Sequence, residues 1–261
     1  MSYVLEHPGE FERLERQSAL PAYDYQRELE GIEVKDGACI LDAGCGSGIV
    51  SRYLAGRFPR SRIIACDYSA PILREARERA KDVHNLSFEE KNLFELDFED
   101  SQFDLIVSRF VLHHQSCERQ ERIISELVRV LKPAGKLIII DVDGIILNLY
   151  PQTFSVKQGL KKLAATDEVD LFVGRKLPHL FSNAGLASIS WAIETTEFRG
   201  AEKKSEIGQM RERFANASAF FERVIGSAQE WERFREDYLE CLADPHSVSF
   251  FNKFIVSAIK R

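Results

Sequence analysis

Ile40-Leu41-Asp42-Ala43-Gly44-Cys45-Gly46-Ser47-Gly48 is the stretch that decides how this chain is read. An apolar run from Ala38 to Leu41 ends in an acid, and glycines then recur at every second position. Ile49-Val50-Ser51-Arg52-Tyr53-Leu54-Ala55 follows at helical spacing. The pattern is that of a buried strand, a glycine loop and an opening helix. Glycine lets the backbone turn where other residues clash and lets a ligand approach the main chain, and a helix N-terminus offers unpaired N–H groups. A tight turn with no ligand would use the same residues. The next acid favours a ligand. Arg62-Ile63-Ile64-Ala65-Cys66 ends in Asp67, about 20 residues past the loop, where doubly wound folds set a carboxylate on a ribose hydroxyl pair. A dinucleotide fingerprint would put its third glycine at position 49, which is Ile, so a nicotinamide-dependent oxidoreductase is disfavoured.

The 261 residues, 44% of them apolar, suffice for a full α/β core. A net charge of −6 and a pI near 5.6 argue against a sequence-independent nucleic-acid binder. Cys39, Cys45, Cys66, Cys117 and Cys241 contain no C-x-x-C pair, which favours free thiols in a reducing compartment over a disulfide frame or a zinc site. MSYVLEHPGEFERLERQ is charged and lacks an apolar stretch, so no signal peptide is expected. No apolar run approaches a membrane span, and a cytoplasmic location without membrane insertion is expected. The pattern does not specify an oligomeric state.

From residue 36 strands and helices alternate. Strands are expected at 38–43, 62–67, 86–91, 103–108 and 135–142, and helices near 48–58, 70–81 and 118–131. This period predicts a parallel sheet with right-handed crossovers, and continuous apolar strands fit a sheet covered on both faces. Residues 8–30 form a charged leading segment that Pro21 should break into two helices, with Pro8 suited to a helix start. After Asp143 the pattern is irregular to about 175; residues 203–242 read as helix and 249–259 as a strand.

ILDAGCGSG, IIACDYS, Lys91-Asn92-Leu93-Phe94-Glu95-Leu96-Asp97-Phe98, Phe103-Asp104 with the following Leu112-His113-His114, and ELVRVLKPAGKLIIID together resemble the class I S-adenosylmethionine-dependent methyltransferases. Within that family they are most similar to the small-molecule branch, such as the quinone-biosynthesis methyltransferases. The resemblance is close over about residues 36–142 and loose beyond. It implies an α/β, seven-stranded Rossmann-like methyltransferase sheet with an antiparallel last strand. Residues 1–35 would be an N-terminal helical cap and 36–261 the S-adenosylmethionine-binding domain, with lid insertions at 143–175 and 200–247.

The same resemblance implies S-adenosylmethionine as cofactor and S-adenosylhomocysteine as product. Gly44 and Gly46 would rest the methionine part on bare backbone, and Asp42 would orient that loop or reach the ligand's amino group. Asp67 would take the ribose hydroxyls, and Tyr68 and Ile72 would pack the adenine. Asn92 stands where the family has an acid; it would accept from the adenine amino group through its amide oxygen, beside the Leu93 N–H. Arg109 would lie beneath the methionine part.

Methyl transfer from a sulfonium is an in-line displacement, so the chain must align donor and acceptor and exclude water. His113 and His114 are the candidates for a general base. Adjacent residues of a helical turn point in different directions, so at most one should face a pocket. Asp141 and Asp143 end a strand and are read as loop caps, with no third ligand to suggest a metal. By the resemblance, Tyr3, Gln17 and Tyr25 in the leading segment are candidates to touch the cofactor or close the pocket, and Tyr25 is also a candidate to meet the acceptor. Asn148, Tyr150, His179 and the Phe214–Phe221 face are candidates for an acceptor site. The expected acceptor is a small molecule, with no nucleic acid; binding of the cofactor without catalysis is the alternative.

Overall fold

The computed structural model describes residues 9–261; Tyr3 and Pro8 lie outside them. Two short helices lead the chain, α1 (Glu10–Ser18) and α2 (Tyr25–Glu28), separated by a single 3-10 turn at Pro21–Tyr23. Proline's fixed φ starts that turn and bars continuation of α1. The alternating region is β1 (Cys39–Ala43), α3 (Ile49–Arg57), β2 (Arg62–Asp67), α4 (Ala70–Arg79), β3 (Leu86–Glu90), β4 (Phe103–Arg109), α5 (Cys117–Val130) and β5 (Leu131–Tyr150). Then follow α6 (Phe154–Ala165), α7 (Val173–Asn183), β6 (Ala187–Glu197), α8 (Gly200–Asn216), α9 (Ser218–Ile225), α10 (Ala228–Ala243) and β7 (Val248–Ile259).

The seven strands form one sheet in the order β3-β2-β1-β4-β5-β7-β6. The first five are parallel, and β7 runs antiparallel between β5 and β6. The sheet therefore has the expected class, and α8, α9 and α10 interrupt its terminal hairpin. Ile123, Ile124, Leu127 and Val130 of α5 are buried with Leu41, Ile106 and Ile139 on one face of the sheet. Val50 and Leu54 of α3 are buried with Ile40, Ile63 and Val107 on the other. With both faces covered, the strands must be apolar throughout, which is how they read.

The chain reverses direction of travel across the sheet between β1 and β4, which are hydrogen-bonded neighbours. In such a sheet this switch point opens a crevice beyond the carboxyl ends of the strands. A separate apolar cluster roofs that end. It is built from Val156, Leu160 and Leu163 of α6, Phe214 of α8, Phe221 of α9, and Trp231, Phe234 and Tyr238 of α10.

One expectation is corrected here. Residues 143–150 are not irregular: β5 runs on to Tyr150, with a register shift against β7 between Asp143 and Asn148. The five cysteines are free, as expected; Cys45, Cys66 and Cys241 are buried, Cys39 is half-buried, and Cys117 is exposed at the start of α5.

Candidate active site

The glycine loop and Asp67 are one hydrogen-bonded unit. Gly44 N–H and Cys45 N–H both donate to the Cys66 carbonyl, at 2.8 and 2.9 Å. The Asp67 carboxylate accepts from Gly46 N–H at 2.9 Å and from Ser69 N–H at 3.0 Å. Gly44 has φ +76°, and a Cβ there would stand 2.5 Å from Val111 Cγ2. Gly48 has φ +74°, and its Cβ would meet the Phe88 ring at 2.6 Å. At both positions left-handed backbone and close approach exclude a side chain. Burial pushes the Asp67 carboxyl up, against the lowering effect of the N–H groups that it accepts. Asp42, buried at the end of β1, accepts from Ser51 Oγ at 2.5 Å. Burial pushes its carboxyl up to about 7, with the Ser51 hydrogen bond opposing.

These groups open into a cavity of about 590 Å³ that runs from the strand tips to the helical roof, a size usual for small-molecule sites. Asp42, Gly44, Gly46, Asp67, Tyr68, Ile72, Asn92, Leu93 and Arg109 all line it, as do His113 and His114. The oxygen of Asn92 is already engaged, accepting from Phe94 N–H at 3.1 Å. This sets the amide's orientation and leaves the NH2 and the oxygen's second lone pair for a ligand. Arg109 is not an isolated cation: its guanidinium forks onto Glu28 at 2.6 and 3.1 Å, and Lys253 Nζ reaches the same carboxylate at 2.6 Å. Burial works to raise the Glu28 carboxyl, but Arg109 and then Lys253 outweigh it and hold it below the usual range.

The histidine pair departs from expectation. Leu112–His114 is a 3-10 turn, and both rings line the cavity with centroids 3.7 Å apart. Asp141, at the switch side of β5, organises the turn. It accepts from Leu112 N–H at 2.8 Å and His113 N–H at 3.3 Å, and lies 2.8 Å from His113 Nδ1. The carboxylate assigns the Nδ1–H tautomer and leaves Nε2 with the lone pair. Burial, then the neighbouring His113, Arg13 and Arg213, hold His114 well below the ordinary histidine range. Asp143 caps differently, through a fork with Arg175 at 2.6 and 2.7 Å. Among the described residues no group of three or more His, Cys, Asp or Glu is arranged to hold a metal.

Three acceptor candidates lie elsewhere. Tyr25 packs edge-on against Tyr53 at 5.6 Å under α3, because α2 turns it toward the sheet. Asn148 faces Phe250 across the β5–β7 ladder, its amide beside Gly144. Tyr150 ends β5 with 74% of its surface exposed. None of the three lines the cavity. His179 is exposed on α7 and Phe214 is buried within the roof, while Gln17, Phe220 and Phe221 do reach the cavity wall.

The sequence reading missed the polar wall opposite the strand tips. Arg13 is buried with Glu10 at 2.5 and 2.7 Å and donates to Gln17 at 3.0 Å. Arg213 donates to Glu206 at 2.9 Å and to the Tyr23 hydroxyl at 2.6 Å. The Tyr23–Arg213 bond ties the 3-10 turn to α8, and Arg16 pairs with Glu212 to tie α1 to the same helix, so the leading segment covers the site. Asp141, read from sequence as a loop cap, lies within β5 and caps the turn that follows β4. The Tyr23–Arg213 pair leaves no local trace, since 190 positions separate its members.

Residues 40–135 match a family model described as a methyltransferase domain. Over 111 residues the chain is 40% identical to the probable tRNA methyltransferase 9B of Bos taurus, covering 41% of this chain and 22% of that one. Over 127 residues it is 32% identical to the demethylmenaquinone methyltransferase of Listeria monocytogenes, covering 48% and 53%. Among solved structures the fold is shared with the YcgJ protein of Bacillus subtilis, at a TM-score of 0.60 and 19% identity over 98% of this chain and 99% of that one. The chain spans 22% to 59% of the length of these and other curated relatives that it matches.

Proposed function

We propose that this chain, which belongs to the class I S-adenosylmethionine-dependent methyltransferases, transfers a methyl group to a small-molecule acceptor with His113 as general base. The observation that carries the reading is the continuity of a single cavity from the Gly44–Asp67 unit to the His113–Asp141 pair. The residues fit the donor. Each Asp67 oxygen has one lone pair on a backbone N–H and another left for a hydroxyl, and the loop presents backbone where a Cβ at Gly44 has no room. Gly44, Gly46, Asp67, Asn92 and Leu93 would hold the nucleoside and amino-acid parts. Bound there, S-adenosylmethionine supplies an electrophilic methyl and leaves as S-adenosylhomocysteine, taking the bonding pair with its sulfur.

The protein's share is alignment, exclusion of water and removal of a proton. Asp141 holds the His113 ring so that Nε2 can accept a proton from an acceptor O–H or N–H as the new bond forms. His114, kept neutral by burial, flanks that ring without adding charge. α1 and the helical roof cover the cavity, which favours a small acceptor over a polynucleotide. The match to the tRNA-modifying relative covers 41% of the chain, and the overall charge of −6 repels a polyphosphate.

Titration with S-adenosylhomocysteine, followed by a labelled-methyl screen of cell extract, tests both parts. Saturable binding and label in a small-molecule fraction are expected. Absence of binding would refute the reading, and binding with no transferred label would favour a cofactor-binding protein without catalysis.

A further inference from the structure

The roof end of the cavity differs in kind from the strand-tip end. Its wall includes Ile145, Ile146, Leu163, Val169, Phe220 and Phe221. Ile145 and Ile146 are only half-buried, so apolar surface on β5 remains exposed to the cavity. Among the described residues the only carboxylates on the cavity wall are Asp42 and Asp67, at the opposite end. Arg13 and Arg213 reach the wall already paired with Glu10 and Glu206. Nothing at the roof end therefore offers a counter-charge to a cation, and burying an unpaired cation there is strongly unfavourable.

One residue of this wall is held in an unusual state. Ile146 has φ +70°, a left-handed backbone that β-branched residues rarely adopt. It lies inside the register break between Asp143 and Asn148, where the β5–β7 ladder no longer dictates backbone geometry. Its carbonyl accepts from the fully buried Tyr238 hydroxyl at 3.0 Å. Tyr238 belongs to α10, whose aromatic packing fixes it against Phe214 and Phe234. Strain of this sort persists only where the surroundings over-determine it. Here α10 pins the backbone, and the pinned residue is a cavity-wall side chain.

We propose that the roof end is the acceptor subsite for an uncharged, apolar ring or chain, and that Ile146, locked by Tyr238, is the residue that shapes it. This rests on the methyltransferase reading. The test titrates the full chain, saturated with S-adenosylhomocysteine, with 2-naphthol and with 2-naphthylmethylammonium as probes of one ring system and two charges. The naphthol should bind, and the ammonium at least tenfold more weakly. Ile146→Gly suits the left-handed backbone, so the variant should fold. Loss of its apolar contact should weaken naphthol binding by roughly tenfold while S-adenosylhomocysteine affinity stays unchanged. Equal or tighter binding of the ammonium, or unchanged naphthol affinity in Ile146→Gly, would overturn the subsite with the cofactor reading intact. Failure of S-adenosylhomocysteine to bind the wild-type chain would remove both together.

Discussion

Replacing Asp67 by Ala removes two kinds of bond at once, and the structure separates them. Each carboxylate oxygen holds one backbone N–H, from Gly46 at 2.9 Å and from Ser69 at 3.0 Å. Each retains a lone pair for one ligand hydroxyl. A hydrogen bond to a charged group contributes about 1.5–3 kcal/mol, so loss of even one ligand bond weakens binding by roughly 10- to 150-fold. Releasing Gly46 N–H also frees the glycine loop, which adds to the loss. Asp67→Asn should do almost as badly, because its NH2 is set against one of the two N–H donors that the carboxylate accepts. The assay is calorimetric titration with S-adenosylhomocysteine on variants whose circular dichroism matches the wild type. Affinity within threefold of wild type in folded Asp67→Ala would refute both the hydroxyl grip and the claim that Asp67 organises the loop.

Gly48→Ala should lower unfolding free energy by roughly 2–5 kcal/mol in urea titrations, since the residue has φ +74° and its Cβ would stand 2.6 Å from Phe88; a loss under 1 kcal/mol would contradict the packing assigned to it. Asp42 has its folded-state pKa raised to about 7, so its contribution is greatest below the ordinary carboxylate range and is lost as pH rises toward 7, by up to about 4 kcal/mol. Asp42→Asn, which still accepts from Ser51, should therefore raise the Tm of the ligand-free protein at pH 8 and have little effect near pH 4; the reverse order would refute the sign. His113→Ala should cut the rate of methyl transfer by about 10²- to 10⁴-fold with S-adenosylhomocysteine binding unaltered, and an unchanged kcat would remove the base. Asp141→Asn should lower kcat with S-adenosylhomocysteine affinity unchanged, because the amide cannot fix the His113 tautomer as the carboxylate does; an unchanged kcat would remove that role.

The parallel half of the fold was legible because its signals are local. Buried strands such as β1 and β2 must be apolar on both faces, and each carries an acid in its last two positions where the chain leaves the sheet. The helix α5 declares itself through Ile123, Ile124, Leu127 and Val130 at helical spacing. The end of β5 was not legible. Asp141, Asp143, Gly144 and Asn148 interrupt the apolar run, and each is accommodated by something distant in sequence: the Leu112 turn, Arg175, or the β7 ladder. The orientation of Tyr25, Asn148 and Tyr150 follows from the same long-range pairing, so residue type alone pointed to the wrong wall. The cofactor end was readable because glycine spacing reports a backbone requirement. The proposed acceptor end was not, because it is assembled from α1, β5, α6, α8 and α9, none of which carries a signature of its own.

Three strand aspartates, Asp42 and Asp67 near the ends of β1 and β2 and Asp141 within β5, share one physical role that joins these observations. Asp67 accepts Gly46 and Ser69 N–H, Asp141 accepts Leu112 and His113 N–H, and Asp42 accepts the Ser51 hydroxyl of the helix that the glycine loop opens. In each case a buried or half-buried carboxylate spends part of its hydrogen-bonding capacity on the loop or helix that follows a strand. Loops at sheet edges otherwise present unsatisfied N–H groups and move. By binding them, the carboxylates hold the cofactor loop and the histidine turn to the rigid strands β1, β2 and β5. The distance from Asp67, the proposed ribose grip, to His113, the proposed base, is then set by the sheet, which is the condition for in-line transfer. It also explains why the proposed chemistry is hard to see in sequence: the acids assigned to position the reactants are of the kind that cap ordinary strands.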